Sequence, residues 1–171
     1  LGHLHMPLYF LGTFTEYPFL NDRQTKQVGT TQKSLSCAIS LKAMEAGPVM
    51  LYCSIKDGHR GCIKHAEEIL GMLGKNAFKK PSSFVQDVDW LSKVVEYCTY
   101  QFGGDYRLTQ CIKEGFAYHH GQMPQDIREL IEISIAKKSL QLIVCCSGLN
   151  ILDCKSFPLS GIVPFSYLVL Q

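Results

Sequence analysis

The sequence predicts an α/β domain with a mostly parallel sheet flanked by helices, and three observations predict it. Residues 115–149 read as strand, turn, helix and strand in unbroken succession, and residues 32–74 read as helix, turn, strand and helix. The two central apolar runs, Val49 to Cys53 and Leu140 to Cys146, are nearly continuous rather than alternating. Parallel strands covered on both faces have that composition.

In chain order, Gln32 to Glu45 carries Leu35, Ala38, Ile39 and Ala43 at roughly helical spacing, and Gly47-Pro48 stops the helix. Val49-Met50-Leu51-Tyr52-Cys53 then reads as a buried strand, and Ser54 to Gly58 as a polar loop. His59, Ile63, Ala66, Leu70 and Leu73 recur at the spacing of the next helix, which Gly71 and Gly74 are expected to end. Lys75 to Ser83, with Lys79-Lys80-Pro81-Ser82-Ser83, reads as a flexible connection. Phe84, Val88, Leu91, Val94, Val95 and Cys98 mark an amphipathic helix, and Asp105 to Glu114 a short one capped by Gly115. Residues 75–114 thus form an inserted helical pair between two βα units. Phe116-Ala117-Tyr118 is a short strand that ends in His119-His120-Gly121, where glycine permits the turn. Pro124 suits a helix start and Asp126 opposes the positive end of its dipole. Ile127, Leu130, Ile131 and Ile135 define the packed face, and Lys137 and Lys138 complement the far end. Val163 to Leu170 offers one more strand, with Pro164 favouring an edge.

Composition bounds the function. A chain of 171 residues with 46% hydrophobic and 19% charged residues predicts one domain with a proper core. Its formal charge of +2, from 17 basic and 15 acidic side chains, supplies no global field toward nucleic acid or anionic membrane. Eight cysteines without any Cys-x-x-Cys pair predict reduced thiols and an intracellular, cytoplasmic or nuclear, setting. No apolar run reaches the ~20 residues of a membrane helix, so no membrane partner is expected. Position 1 is Leu and no leader pattern follows it, which predicts an excised or processed piece.

In order, these residues resemble a known family. Gly47-Pro48-Val49-Met50-Leu51-Tyr52-Cys53-Ser54, a helix, a helical pair, and Gly115-Phe116-Ala117-Tyr118-His119-His120-Gly121-Gln122-Met123-Pro124 lead into a helix carrying Arg128-Glu129-Leu130-Ile131-Glu132. With Leu142-Ile143-Val144-Cys145-Cys146-Ser147-Gly148-Leu149, this succession is similar to the second, C-terminal RecA-like domain of superfamily 2 helicases. The Ski-like branch of DExH-box enzymes fits best. The resemblance covers about residues 32–149 and implies a three-layer RecA-like domain over the single domain 1–171. In that family the first stretch is motif IV, the histidine turn motif IVa, and the last strand leads into motif V. The resemblance implies that Ser54, His119, His120, Gly121, Gln122, Cys146, Ser147 and Gly148 grip the sugar-phosphate backbone of single-stranded DNA or RNA. Strand ends of an open α/β sheet are where ligands gather, and small hydroxyls, amides and imidazole N–H groups suit sequence-tolerant contact.

The resemblance also implies what this chain does not supply. It has no Gly-x-x-x-x-Gly-Lys-Ser/Thr loop and no Asp-Glu pair, so ATP and magnesium would act only with an N-terminal RecA-like domain of the same polypeptide. No cofactor is expected for this chain alone and no catalytic residue is assigned. After Leu149 the sequence Asn150-Ile151-Leu152-Asp153-Cys154-Lys155 departs from the family's motif V, and the arginine-finger motif is absent. Residues 150–171 are therefore a divergent tail, from truncation or degeneration.

Plainer readings stand beside these. Adjacent histidines after a strand also suit a turn with one buried imidazole, and Ser54 an ordinary turn or N-cap. Arg128 pairs as well with Glu132 at i+4. His59-x-x-Cys62-x-x-His65 resembles a metal spacing, yet on one helix, at ~100° per residue, the outer histidines point ~240° apart. Three functions follow: half of an ATP-dependent helicase, a non-catalytic interaction module, and a cysteine hydrolase using Cys145 or Cys146 with His119 or His120 as base.

Overall fold

The computed structural model describes residues 20–146 and the backbone of one further strand, Ser166–Val169. Its elements are α1 (Asp22–Thr25), α2 (Gln32–Ala43), β1 (Val49–Cys53), α3 (Cys62–Gly74), α4 (Val88–Phe102), α5 (Arg107–Lys113), β2 (Phe116–His119), α6 (Gln125–Ala136), β3 (Leu142–Cys146) and β4 (Ser166–Val169). The fold is mixed α/β. A small parallel sheet in the order β2-β3-β1 is flanked by helices, with β4 parallel to β1 on its other side.

The strand made last of these three lies in the middle. Leu142 pairs in register with both Val49 and Phe116, and Cys145 with both Tyr52 and His119. All five residues of β3 are buried, as a near-continuous apolar run requires when helices cover both faces. Alternation then divides the side chains. Cys53 and Cys146 point with α3's Cys62, whereas His119 points to α6, where Glu132 lies.

α2 packs on α3 through small residues. The expected stripe of Leu35, Ile39 and Ala43 is only half-buried, and the deeply buried positions are Ser34, Ser36, Cys37, Ala38, Ser40 and Leu41. Serines tolerate this burial because their hydroxyls donate backward along the helix: Ser36 to the Gln32 carbonyl at 2.7 Å and Ser40 to the Ser36 carbonyl at 2.9 Å.

Other boundaries differ from expectation for local reasons. α3 begins at Cys62 and not His59, because residues 54–61 close a tight loop in which the Cys62 N–H donates to the Ile55 carbonyl. Gly71 lies inside that helix, which continues to Gly74. Val88, placed in a packed stripe by its spacing, is 59% exposed at the start of α4. Pro124 occupies the N-cap of α6 rather than its first turn.

The segment 75–83 is anchored rather than a loose connection. Phe78 and Pro81 are buried, the Ser82 N–H donates to the Glu114 carbonyl at 2.8 Å, and Lys80 pairs with Glu114 at 2.9 Å. Gly115 makes this possible with a φ of +84° and no side chain, since a Cβ there would enter the backbone of Ser82. Beyond it, Trp90 of α4 donates its indole N–H to Ser134 of α6 at 3.0 Å, which ties the inserted pair to the far side of the sheet.

Candidate functional site

The carboxyl ends of β1, β3 and β2 form one rim, as three parallel strands in register must. The loop after β1 reaches the turn after β2 across the end of β3. Lys56 Nζ donates to Gln122 Oε1 at 2.6 Å and lies 3.0 Å from the Asp57 carboxylate. Gly61 closes this loop: a Cβ there would run into the Lys56 carbonyl and the Asp57 backbone. The same closure occupies donors at the start of α3, because Cys62 and Ile63 give their N–H groups to the Ile55 and Lys56 carbonyls at 3.1 and 3.4 Å. Two amides that a phosphate would seek at a helix N-terminus are thus satisfied by the chain itself.

The eight sequence-derived positions separate by depth. Ser54, Gly121 and Gln122 are exposed on the rim, while His119, His120 and Cys146 are buried. Ser147 and Gly148 lie outside the described residues. His119 is 3% exposed and faces α6 rather than a strand crossing the rim. Its Nε2 is 3.4 Å from a Glu132 carboxylate oxygen, but neither ring nitrogen makes a hydrogen bond among the described residues. Burial, then the nearby Arg128 guanidinium and His120, lower its pKa to about 4. His119 is therefore neutral at pH 7, and the Glu132 contact is no ion pair. His120 stacks against Tyr118 with ring centroids 6.0 Å apart, and burial, with Lys56 nearby, holds it below the usual imidazole range.

Burial disfavours the thiolate at four cysteines of this region. Burial pushes Cys53 and Cys145 up to about 12, and raises Cys62 and Cys37 as well. A nucleophilic role for Cys145 with His119 as base lacks support, since burial keeps the thiol protonated and both side chains, partners in register, point into the packed α6 face rather than to the rim. Arg128 is half-buried with its Nε unpartnered, and among the described residues it forms no ion pair with Glu132, whose carboxylate lies against His119. Among the described residues no three His, Cys, Asp or Glu side chains converge as metal ligands, and no helix is long and apolar enough to cross a membrane.

Sequence reasoning passed over the cations of this end of the sheet. Lys56 sits in the rim itself. Lys33, from the first turn of α2, and Arg60, from the tight loop, border an adjoining hollow with His59 and His65. The interleaving in Lys56-Asp57-Gly58-His59-Arg60-Gly61 was the available signal. No protein family, characterised protein or solved structure matches the chain.

Proposed function

We propose that the chain is the second RecA-like domain of a superfamily 2 DExH-box helicase of the Ski-like branch, contributing single-strand backbone binding and part of an interdomain ATP site. The observation that carries this reading is the joined rim: two loops from non-adjacent strands, locked by the Lys56–Gln122 hydrogen bond, with Ser54, Gly121 and Gln122 exposed beside a cation. Parallel strands ending together at a polar edge are where an α/β sheet accommodates a phosphate-bearing ligand. In this reading ATP and magnesium act only with a first RecA-like domain, and the rim of this chain holds the strand while the two domains open and close. Fluorescence anisotropy with a single-stranded oligonucleotide tests it. Weak binding that falls with salt is expected, and the Lys56→Ala, Gln122→Ala double variant weakens it about tenfold. Absence of binding at the lowest salt would remove the proposal.

A second reading, a non-catalytic interaction module on a RecA-like scaffold, is favoured by the burial of both histidines and by the satisfied amides at the start of α3. It predicts association with a protein that does not weaken as salt rises.

A further inference from the structure

A hollow of about 280 Å³ opens beside the carboxyl end of β1, between the start of α2 and the tight loop that leads to α3. Lys33, His59, Arg60 and His65 line it together with Thr31 and Ser54, and no carboxylate contributes to its wall. Its positive charge is only loosely matched. Lys33 Nζ is 3.8 Å from Glu68, and Arg60 has no ion pair among the described residues. Opposite charge concentrated at a concave wall selects an anion, and two cations suit a phosphate.

His65 narrows the chemistry further. The residue is 8% exposed, and Nδ1 lies 2.9 Å from the Gly61 carbonyl. A carbonyl only accepts, so Nδ1 carries the proton and Nε2 presents a lone pair. His65 lines the hollow, and the hydrogen bond its ring makes among the described residues is this one at Nδ1. Unlike the ring nitrogens of His119, Nε2 is not sealed from solvent, so it offers an acceptor to a donor that enters the hollow. Phosphate at neutral pH has few protons to offer, whereas a sugar hydroxyl beside it has one. The volume falls just under the ~300 Å³ at which pockets begin to hold drug-sized molecules, which fits one sugar phosphate and not two.

We infer that this hollow binds a single ribose phosphate unit, with Lys33 and Arg60 on the phosphate and His65 Nε2 accepting from the ribose 2′-hydroxyl. That hydroxyl distinguishes RNA from DNA. The inference deepens the single-strand reading by naming the sugar, and two sources of the ligand share its chemistry: a unit within an RNA strand, and a free ribose phosphate.

The test uses the full chain with oligouridylate and oligodeoxyuridylate of equal length in anisotropy titrations at low salt, and ribose 5-phosphate and its 2-deoxy counterpart in calorimetry. A ribo-over-deoxy preference of about tenfold is expected from one hydrogen bond to this acceptor. His65→Phe should abolish the preference while leaving deoxy affinity unchanged, and Arg60→Ala should weaken ribo and deoxy probes alike. Arg60 is exposed, so that variant folds whatever His65→Phe does. Equal binding of ribo and deoxy probes, or a preference that persists in His65→Phe, overturns the inference and leaves the rim reading standing. Binding of ribose 5-phosphate without binding of either oligonucleotide overturns the rim reading and identifies the free sugar phosphate as ligand. Failure of every probe overturns both.

Discussion

At the level of single residues, the histidines have a measurable cost. His119 titrates near 4 in the folded chain against ~6.5 in an unfolded one, so the unfolded state binds the extra proton between those values. The stability held by the neutral ring is complete above pH ~6.5 and is lost as pH falls toward 4, on the order of 3 kcal/mol in all. His65 and His120 are shifted in the same direction and add to the same trend. Replacing His119 by Leu removes two unsatisfied ring nitrogens from a buried site. Thermal melts from pH 4 to 7 should show a flatter acid dependence for His119→Leu and a Tm at neutral pH no lower than the parent's. A variant that keeps the parent's full acid dependence would show that the sensitivity lies elsewhere.

Individual elements reveal how much of the chain could be read in advance. β1, β2, β3 and α6 lie where periodicity and turn chemistry placed them, because each carries its own local signal: a short apolar run, a stop at Gly or Pro, and an apolar stripe. The start of α3 and the anchoring of 75–83 were not legible, since both depend on backbone approaching backbone across the fold at Gly61 and Gly115. The candidate site divides in the same way. Ser54 and Gln122 end recognisable strands and turns, whereas Lys33, Arg60 and His65 come from three separate elements and meet only once the sheet register is set. Two variants check these contacts. Gly115→Ala combines a positive φ with a backbone clash and should destabilise by roughly 3 kcal/mol, a fall of about 10 °C in Tm. Ser134→Ala leaves the Trp90 indole N–H without its acceptor and should cost ~1–2 kcal/mol by urea unfolding, with Trp90 fluorescence as the probe.

For the molecule as a whole, charge is local and not global. A net +2 gives no field at a distance, so in the proposed reading strand affinity comes from cations gathered locally at one end of the sheet. If Lys33, Lys56 and Arg60 each neutralise a phosphate, the logarithm of the binding constant should fall against the logarithm of salt with a slope of about −2. A slope near zero in oligonucleotide titrations between 50 and 200 mM salt, the range over which such contacts are normally resolved, would show that those cations do not meet phosphates.

The central place of β3 has a consequence for how the chain reaches this state. β1 and β2 are not neighbours; each waits for the same partner, which is synthesised after both. The loop entropy of bringing β1 to β3 must be met before any ladder between them repays it, and that makes collapse slow relative to a helical bundle of this size. During synthesis two apolar strands therefore emerge with open edges and nothing of their own to pair with. Until Leu142 to Cys146 arrives, the nascent chain depends on helix packing, or on a chaperone, to keep those edges apart.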